Sequence, residues 1–227
     1  MMLPLSYEKC RALMLNILFD LDGTLIDSKK GITRSIQYSL RRLNRHVPSS
    51  NELEWCIGPS LRYIFSKLLD SSDIFLIDRA ITYYRDRYSI KGKFENSVYP
   101  DIIKILEFLS EAGKKIFLAT AKPAIYAHDI LVNHYLIDFF NGVYGAELDG
   151  QRSDKGELIA FIMKSEGLNP GQSIMIGDSI SDIIGGKQNN IATAGVCYGY
   201  EKRENLIGAG AEFIVQSPLE ILKILKL

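Results

Sequence analysis

A chain of 227 residues is long enough for one sizeable core, or for a core carrying a small inserted module. Lys+Arg and Asp+Glu both number 27, so no basic surplus exists to hold a nucleic-acid polymer, and 47% hydrophobic residues is ordinary for a folded soluble domain. Cys10, Cys56 and Cys197 lie far apart, cannot all pair and lack zinc-ligand spacing, so they read as reduced thiols of an intracellular protein.

The apolar stretch from Leu13 to Phe19 stops at Asp20, too early for a membrane helix. It runs into an acidic motif where a signal peptide would show a small-residue cleavage site. A cytoplasmic protein is expected, with residues 1–12 as a leader and Met14 as an alternative start. Leu15 to Phe19 reads as a buried strand. It feeds Asp20-Leu21-Asp22-Gly23-Thr24. Ligands of open α/β sheets bind beyond the carboxyl ends of the strands. Side chains at i and i+2 share a side while the chain is extended, so Asp20 and Asp22 can flank one reacting centre. Gly23 lets the backbone turn where a Cβ would clash. Two acids crowded at a strand end point to a cation or a substrate task, although acidic residues with glycine also make plain turns.

After Ser28 the pattern becomes helical: Ile32, Ile36, Leu40 and Leu43 recur at helical spacing. Ser49 with Glu52 fits a capping box before a short helix. Gly58-Pro59 breaks the chain, Ser60 can cap Leu61 to Leu69, and Ser71 or Ser72 can cap a longer helix reaching about Tyr88. Lys91 to Lys93 and Asn96 to Pro100 read as loop, making residues 29–95 an all-helical insert. From Pro100 helix and strand alternate. A helix from Asp101 to Ala112 stops at Gly113, and a strand runs from Lys115 to Ala119. Pro123 opens the next helix, followed by a short strand from Val143 to Gly145. A helix from Lys155 to Glu166 ends at Gly167, and strand Ser173 to Ile176 runs into Gly177-Asp178. Ile191 to Val196 and Glu212 to Val215 complete the strands, and Pro218 starts a final helix. Such alternation predicts an α/β fold: a mainly parallel sheet with helices on both faces.

Three more segments join the first motif. Thr120-Ala121-Lys122 ends one strand, Asp178 to Asp182 follows another, and Lys155 opens a helix. In this order they resemble the four short motifs of the haloacid dehalogenase superfamily, with Phe19 to Ser28 matching the first, Thr120 the second, Lys155 the third and Asp178 with Asp182 the fourth. The resemblance spans essentially the whole chain and implies a Rossmann-like catalytic core, residues 13–28 and 96–227, with 29–95 as a helical cap of the C1 type. It also implies chemistry. Asp20 would be the nucleophile that forms an aspartyl-phosphate, and Asp22 the general acid and base. Mg²⁺ would be held by Asp20, the Asp22 backbone carbonyl and Asp178, with Asp182 orienting a neighbour from outside that shell. Thr120, Ala121 and Lys155 would hold phosphoryl oxygens. Many relatives carry Asn where Ala121 stands, which removes one polar side-chain contact. On their own, Asp178 and Asp182 read equally as a helix cap and a surface residue.

The substrate is open among small phosphate esters such as phosphoglycolate, a nucleoside monophosphate or a sugar phosphate, in a monomer or homodimer. The segment Ile57 to Arg62 resembles a Gly-Pro loop in caps of phosphoglycolate phosphatase-like and 5′-nucleotidase-like members, making Gly58 and Arg62 candidates for substrate selection, with Lys122 beside the second motif as another. Arg62 offers a bidentate fork for a carboxylate or second phosphate, or is a solvated helix residue. Trp55 and Tyr83-Tyr84 read as cap core more than as a base-stacking platform, and Arg41, Arg42, Arg45 and His46 as a solvated helix end. Asp22 argues against dehalogenation, since a departing halide needs no proton. Lys67 falls in the region where phosphonate-cleaving relatives place a Schiff-base lysine, but reads as solvated. A phosphomutase would use the same core, and a non-enzymatic binding module would be expected to have lost one of Asp20, Asp22, Lys155 or Asp178.

Overall fold

The computed structural model describes residues 14–227. The leader 1–12 and Cys10 lie outside the described residues. In chain order the regular elements are β1 (Asn16–Phe19), β2 (Ile26–Asp27), α1 (Lys29–Arg42), α2 (Leu61–Leu68), α3 (Ile74–Tyr88) and β3 (Ser97–Val98). Then follow α4 (Ile102–Glu111), β4 (Lys115–Pro123), α5 (Ala124–Asn133), β5 (Gly142–Ala146), α6 (Lys155–Ser165) and β6 (Ser173–Gly177). The chain closes with α7 (Ile180–Gln188), β7 (Ala192–Val196), α8 (Arg203–Ala209), β8 (Phe213–Val215) and α9 (Glu220–Leu225). Two compact units result: one runs to Leu25 and resumes at Val98–Leu227, the other is Ile26–Ser97.

The first unit contains a six-stranded sheet in the order β5-β4-β1-β6-β7-β8, with every pairing parallel. Ile17, Leu18, Phe19, Phe117, Leu118, Met175 and Ile176 are fully buried. That explains why these strands read as continuous apolar runs: both faces are covered. Leu158, Ile159 and Ile162 of α6 pack with Leu18, Phe117 and Met175 into one cluster. Each such fully buried side chain stabilises the fold by about 1.5–3 kcal/mol relative to exposure. From β1 the path moves outward through β4 to β5, then crosses back to β6 and outward again. The order therefore reverses at β1, the topological switch where α/β sheets bind ligands.

The Ile26–Ser97 unit buries Ile36, Leu40, Ile64, Phe65, Ile77 and Tyr84. Ser60 caps α2 as expected, its hydroxyl accepting from Tyr63 N. Asp73, not Ser71 or Ser72, caps α3 by accepting from Phe75 N at 2.9 Å, while Ser71 Oγ accepts from Asp73 N. Ser49 and Glu52 do exchange hydrogen bonds, but only a single 3₁₀ turn, Glu54–Cys56, follows before Gly58-Pro59. Trp55 departs from the expected core role: it is 44% exposed and meets Tyr63 edge-on. Tyr84 is buried and stacks on Tyr88, and Arg42 lies over the Tyr83 ring.

In the first unit β4 runs past its expected end at Ala119 to Pro123, with an irregular ladder between Thr120 and Pro123. The final helix begins at Glu220 rather than Pro218. Strands β2 and β3 have two residues each, too few to show a period, and α8 went unanticipated. No helix among the described residues is long and apolar enough to cross a membrane.

Candidate active site

Asp20 is the first residue past β1. Its amide still donates to Ile176 O at 2.9 Å, so the carboxylate starts where sheet bonding ends. β4 and β6 flank β1, with Phe19 opposite both Leu118 and Ile176. One or two residues further along each strand bring Asp20, Thr120 and Asp178 to a single edge. Asp20, Asp178 and Asp182 are all buried, and each offers a carboxylate oxygen within 4.8 Å of the others.

Lys155, at the first position of α6, is 3% exposed and ties this cluster together. Its ammonium lies 2.9 Å from Asp20 Oδ1, 2.7 Å from Asp182 Oδ1 and 2.7 Å from Ala119 O. The contacts to Asp20 and Ala119 are hydrogen bonds, and the contact to Asp182 is an ion pair. Asp182 is engaged at both oxygens: Oδ1 by Lys155, and Oδ2 by Ser179 N at 3.0 Å and Ser179 Oγ at 2.7 Å. The Ser179 N contact, together with Asp182 N donating to Ser179 Oγ at 3.3 Å, forms a capping box at the start of α7. Ser179, not Asp178, is thus the helix cap. Asp178 is free for the cluster, where its Oδ2 accepts from Tyr200 N at 2.8 Å.

Two glycines make room for Asp178. Gly23 has φ +79°, and a Cβ there would stand 2.1 Å from Asp178 Oδ2. A Cβ on Gly199 would meet Asp178 Cβ and Gly23 O, both at 2.4 Å. Tyr198 OH donates to Thr24 O at 3.1 Å, so Tyr198-Gly199-Tyr200 braces both acidic segments. The sequence reading missed this loop. The signal was available: it follows β7, whose carboxyl end shares the same sheet edge.

Three carboxylates face one ammonium, leaving two negative charges uncompensated if all ionise. The titration of the group reflects this. Burial pushes Asp20 up to about 6, with Lys155 opposing and Asp182 adding to the rise. Burial, then the nearby Asp20 and Asp182, hold Asp178 well above the usual carboxylate range. Lys155 is raised despite its burial, because Asp182 and Asp20 favour its charged form. A hard divalent cation suits this donor set: it supplies the missing charge and accepts carboxylate oxygens.

Asp22 stands apart. Its Oδ2 is paired with Lys122 Nζ at 2.8 Å, and its Oδ1 is buried with no hydrogen-bond partner among the described residues. Thr120 is buried, and its hydroxyl oxygen accepts from Lys122 N at 3.2 Å, leaving its own proton to donate elsewhere. Ala121 is half-buried beside it. Gly58 and Arg62 belong to the Ile26–Ser97 unit. Gly58 has φ +105°, and Arg62 pairs with Asp78 at 2.6 Å, both side chains at least half exposed. In that unit Lys67 lies over the Tyr63 ring.

A model of the haloacid dehalogenase-like hydrolase family matches residues 17–196, from inside β1 to the end of β7. The chain belongs to this family. Among its relatives in the family, the 5′-nucleotidase of Pseudomonas aeruginosa is 41% identical over 84% of this chain and 86% of its own. Tyrosine-protein kinase PtkA of Mycobacterium tuberculosis is 31% identical over 83% of this chain and 64% of its own. The phosphoglycolate phosphatase of Colwellia psychrerythraea is 28% identical over 92% and 96%. The crystal structure of a predicted phosphatase from Clostridium acetobutylicum superposes with a TM-score of 0.89 at 40% identity, covering 95% of this chain and 100% of that one. The fold expected from the haloacid dehalogenase motifs is the fold found.

Proposed function

We propose that this haloacid dehalogenase-like hydrolase is a Mg²⁺-dependent phosphatase acting on small phosphomonoesters through an aspartyl-phosphate. The observation that carries the reading is the buried, negatively unbalanced group of Asp20, Asp178 and Asp182 around Lys155. Such crowding costs stability unless a cation and an anionic substrate use it. Mg²⁺ held by Asp20, Asp178 and the Asp22 carbonyl would supply the positive charge that lets an anionic carboxylate meet an anionic phosphate.

Asp20 attacks phosphorus while the ester P–O bond breaks, and the leaving oxygen takes a proton from Asp22. Water then attacks phosphorus of the acyl phosphate, Asp22 takes that proton, and inorganic phosphate departs with Asp20 restored. The Thr120 hydroxyl, the Ala121 amide and Lys155 stabilise charge on the transferring oxygens. Asp182 keeps Lys155 directed at Asp20. Residues 29–95 act as the cap that selects the leaving group, with Gly58 and Arg62 as candidate selectors. The relative named 5′-nucleotidase supports nucleoside monophosphates as the first substrates to try, and those named phosphoglycolate phosphatase support phosphoglycolate.

The test is phosphate release from a panel of such esters with Mg²⁺ and again after chelation. Hydrolysis that requires Mg²⁺ and favours one ester supports the reading. Release that persists without any divalent ion, or transfer of phosphate to an acceptor with none released, contradicts it.

A further inference from the structure

Lys122 was a candidate for contacting substrate, but the structure turns it toward the protein. It lies in the irregular part of β4, where Thr120 pairs with Gly145 and Pro123 with Ala146, so three steps on one strand match one on the other. Ala121 and Lys122 are left outside the regular ladder. A ladder break of this kind re-aims a side chain. Two further contacts fix the Lys122 backbone. Its amide donates to Thr120 Oγ1 at 3.2 Å, and its carbonyl runs so close to Gly145 that a Cβ there would approach it to 2.5 Å. The side chain, 7% exposed, ends 2.8 Å from Asp22 Oδ2.

The two oxygens of Asp22 therefore differ. Oδ2 is held by an ammonium, whereas Oδ1 is buried and has no hydrogen-bond partner among the described residues. A buried carboxylate oxygen without a partner is costly, and such an atom commonly marks a site that awaits a ligand group. We infer that Lys122 is a positioning residue: it grips Asp22 by Oδ2 so that Oδ1 is presented to the ester oxygen that leaves with a proton. This rests on the phosphatase reading and deepens it. With Oδ2 fixed, the carboxyl cannot rotate to exchange its oxygens, and the proton travels from Oδ1 to the leaving oxygen as the P–O bond breaks.

Leaving-group dependence tests this. An aryl phosphate releases a stable phenolate and needs little proton delivery, whereas an alkyl phosphate such as a nucleoside monophosphate needs it fully. Wild type, K122M, K122R, D22N and D22N/K122M are assayed with Mg²⁺ on p-nitrophenyl phosphate and on the best alkyl ester. K122M is expected to lose kcat on the order of 10²-fold for the alkyl ester and less than about 10-fold for the aryl ester, within the range general acids contribute. D22N should show the same pattern. The double variant should be little worse than D22N, because the two residues act as a unit. K122R should restore part of the alkyl activity. Folding is checked by melting each variant, and the double variant removes both charges together should K122M alone fold poorly.

Equal losses of kcat on both esters, a change confined to KM, or additive losses in the double variant would overturn the assignment while leaving the phosphatase reading intact. If wild type cleaves neither class of ester, the phosphatase reading falls and this assignment with it.

Discussion

Two groups of charged residues, one from each unit of this molecule, are handled in opposite ways. In the Ile26–Ser97 unit, Arg62 pairs with Asp78 and Lys29 with Glu54 at exposed sites, where water already solvates each partner. In the sheet-containing unit, Asp20, Asp178, Asp182 and Lys155 are packed below the surface, and the acids outnumber the base. Pairs of the first kind contribute little to stability. The buried cluster is paid for by the surrounding core, and its placement uses a cap, two glycines and a backbone amide. Burial with imbalance marks chemistry, whereas exposure with balance marks a surface.

The largest effect should come from Asp20. Asp20→Asn keeps the shape of the side chain but removes the proposed nucleophile, and phosphate release should fall by about 10³-fold or more. Activity within a few-fold of wild type would remove the buried cluster from the mechanism. Next comes Lys155→Met, which strips the only base from the cluster and leaves Asp182 and Asp20 unpaired. Breaking a buried pair in this way costs roughly 3–5 kcal/mol, read as a shift in denaturant midpoint. A loss under about 1 kcal/mol would mean that the cluster is solvated like the surface pairs.

The third prediction concerns pH in protein freed of metal. Asp20 rises from its ordinary 3.8 to about 6, first because of burial. The folded state then keeps a proton that the unfolded chain has lost. Stability from this group is full below pH 3.8 and is lost as pH rises through about 6, an effect on the order of 3 kcal/mol. Asp178 is shifted in the same direction. Mg²⁺ should reverse the trend, raising the melting temperature at pH 7 far more than at pH 4. Equal stabilisation at both values would contradict a site built from these acids. The smallest effect is expected at the exposed pair: Arg62→Ala or Asp78→Ala should change stability by less than about 1 kcal/mol. A large change would erase the contrast between the units.

Much of this was legible in the sequence because its physics is local. The runs around Leu18, Phe117 and Met175 announced doubly covered parallel strands, and Asp20 to Thr24 announced a strand end where acids gather. Helix ends were readable where the capping side chain follows a break, as at Ser60, and misread where several polar residues compete, as at Ser71 to Asp73. What escaped depends on contacts between distant segments. Nothing near Lys122 says that an irregular ladder swings it onto Asp22, 100 residues earlier. Nothing in Tyr198-Gly199-Tyr200 announces that its amide meets Asp178. Trp55 was misjudged because an aromatic residue in a helical segment looks like core until its neighbours are known.

The central claim is that the Asp20 carboxylate bonds covalently to phosphorus. It is tested most directly by acid-quenching the enzyme during turnover of an alkyl phosphate with Mg²⁺ and mapping its peptides by mass spectrometry. A phosphoryl group on the peptide containing Asp20, absent in Asp20→Asn, is the predicted result. Steady turnover with the phosphoryl group on another residue, or retained in full by Asp20→Asn, would contradict it.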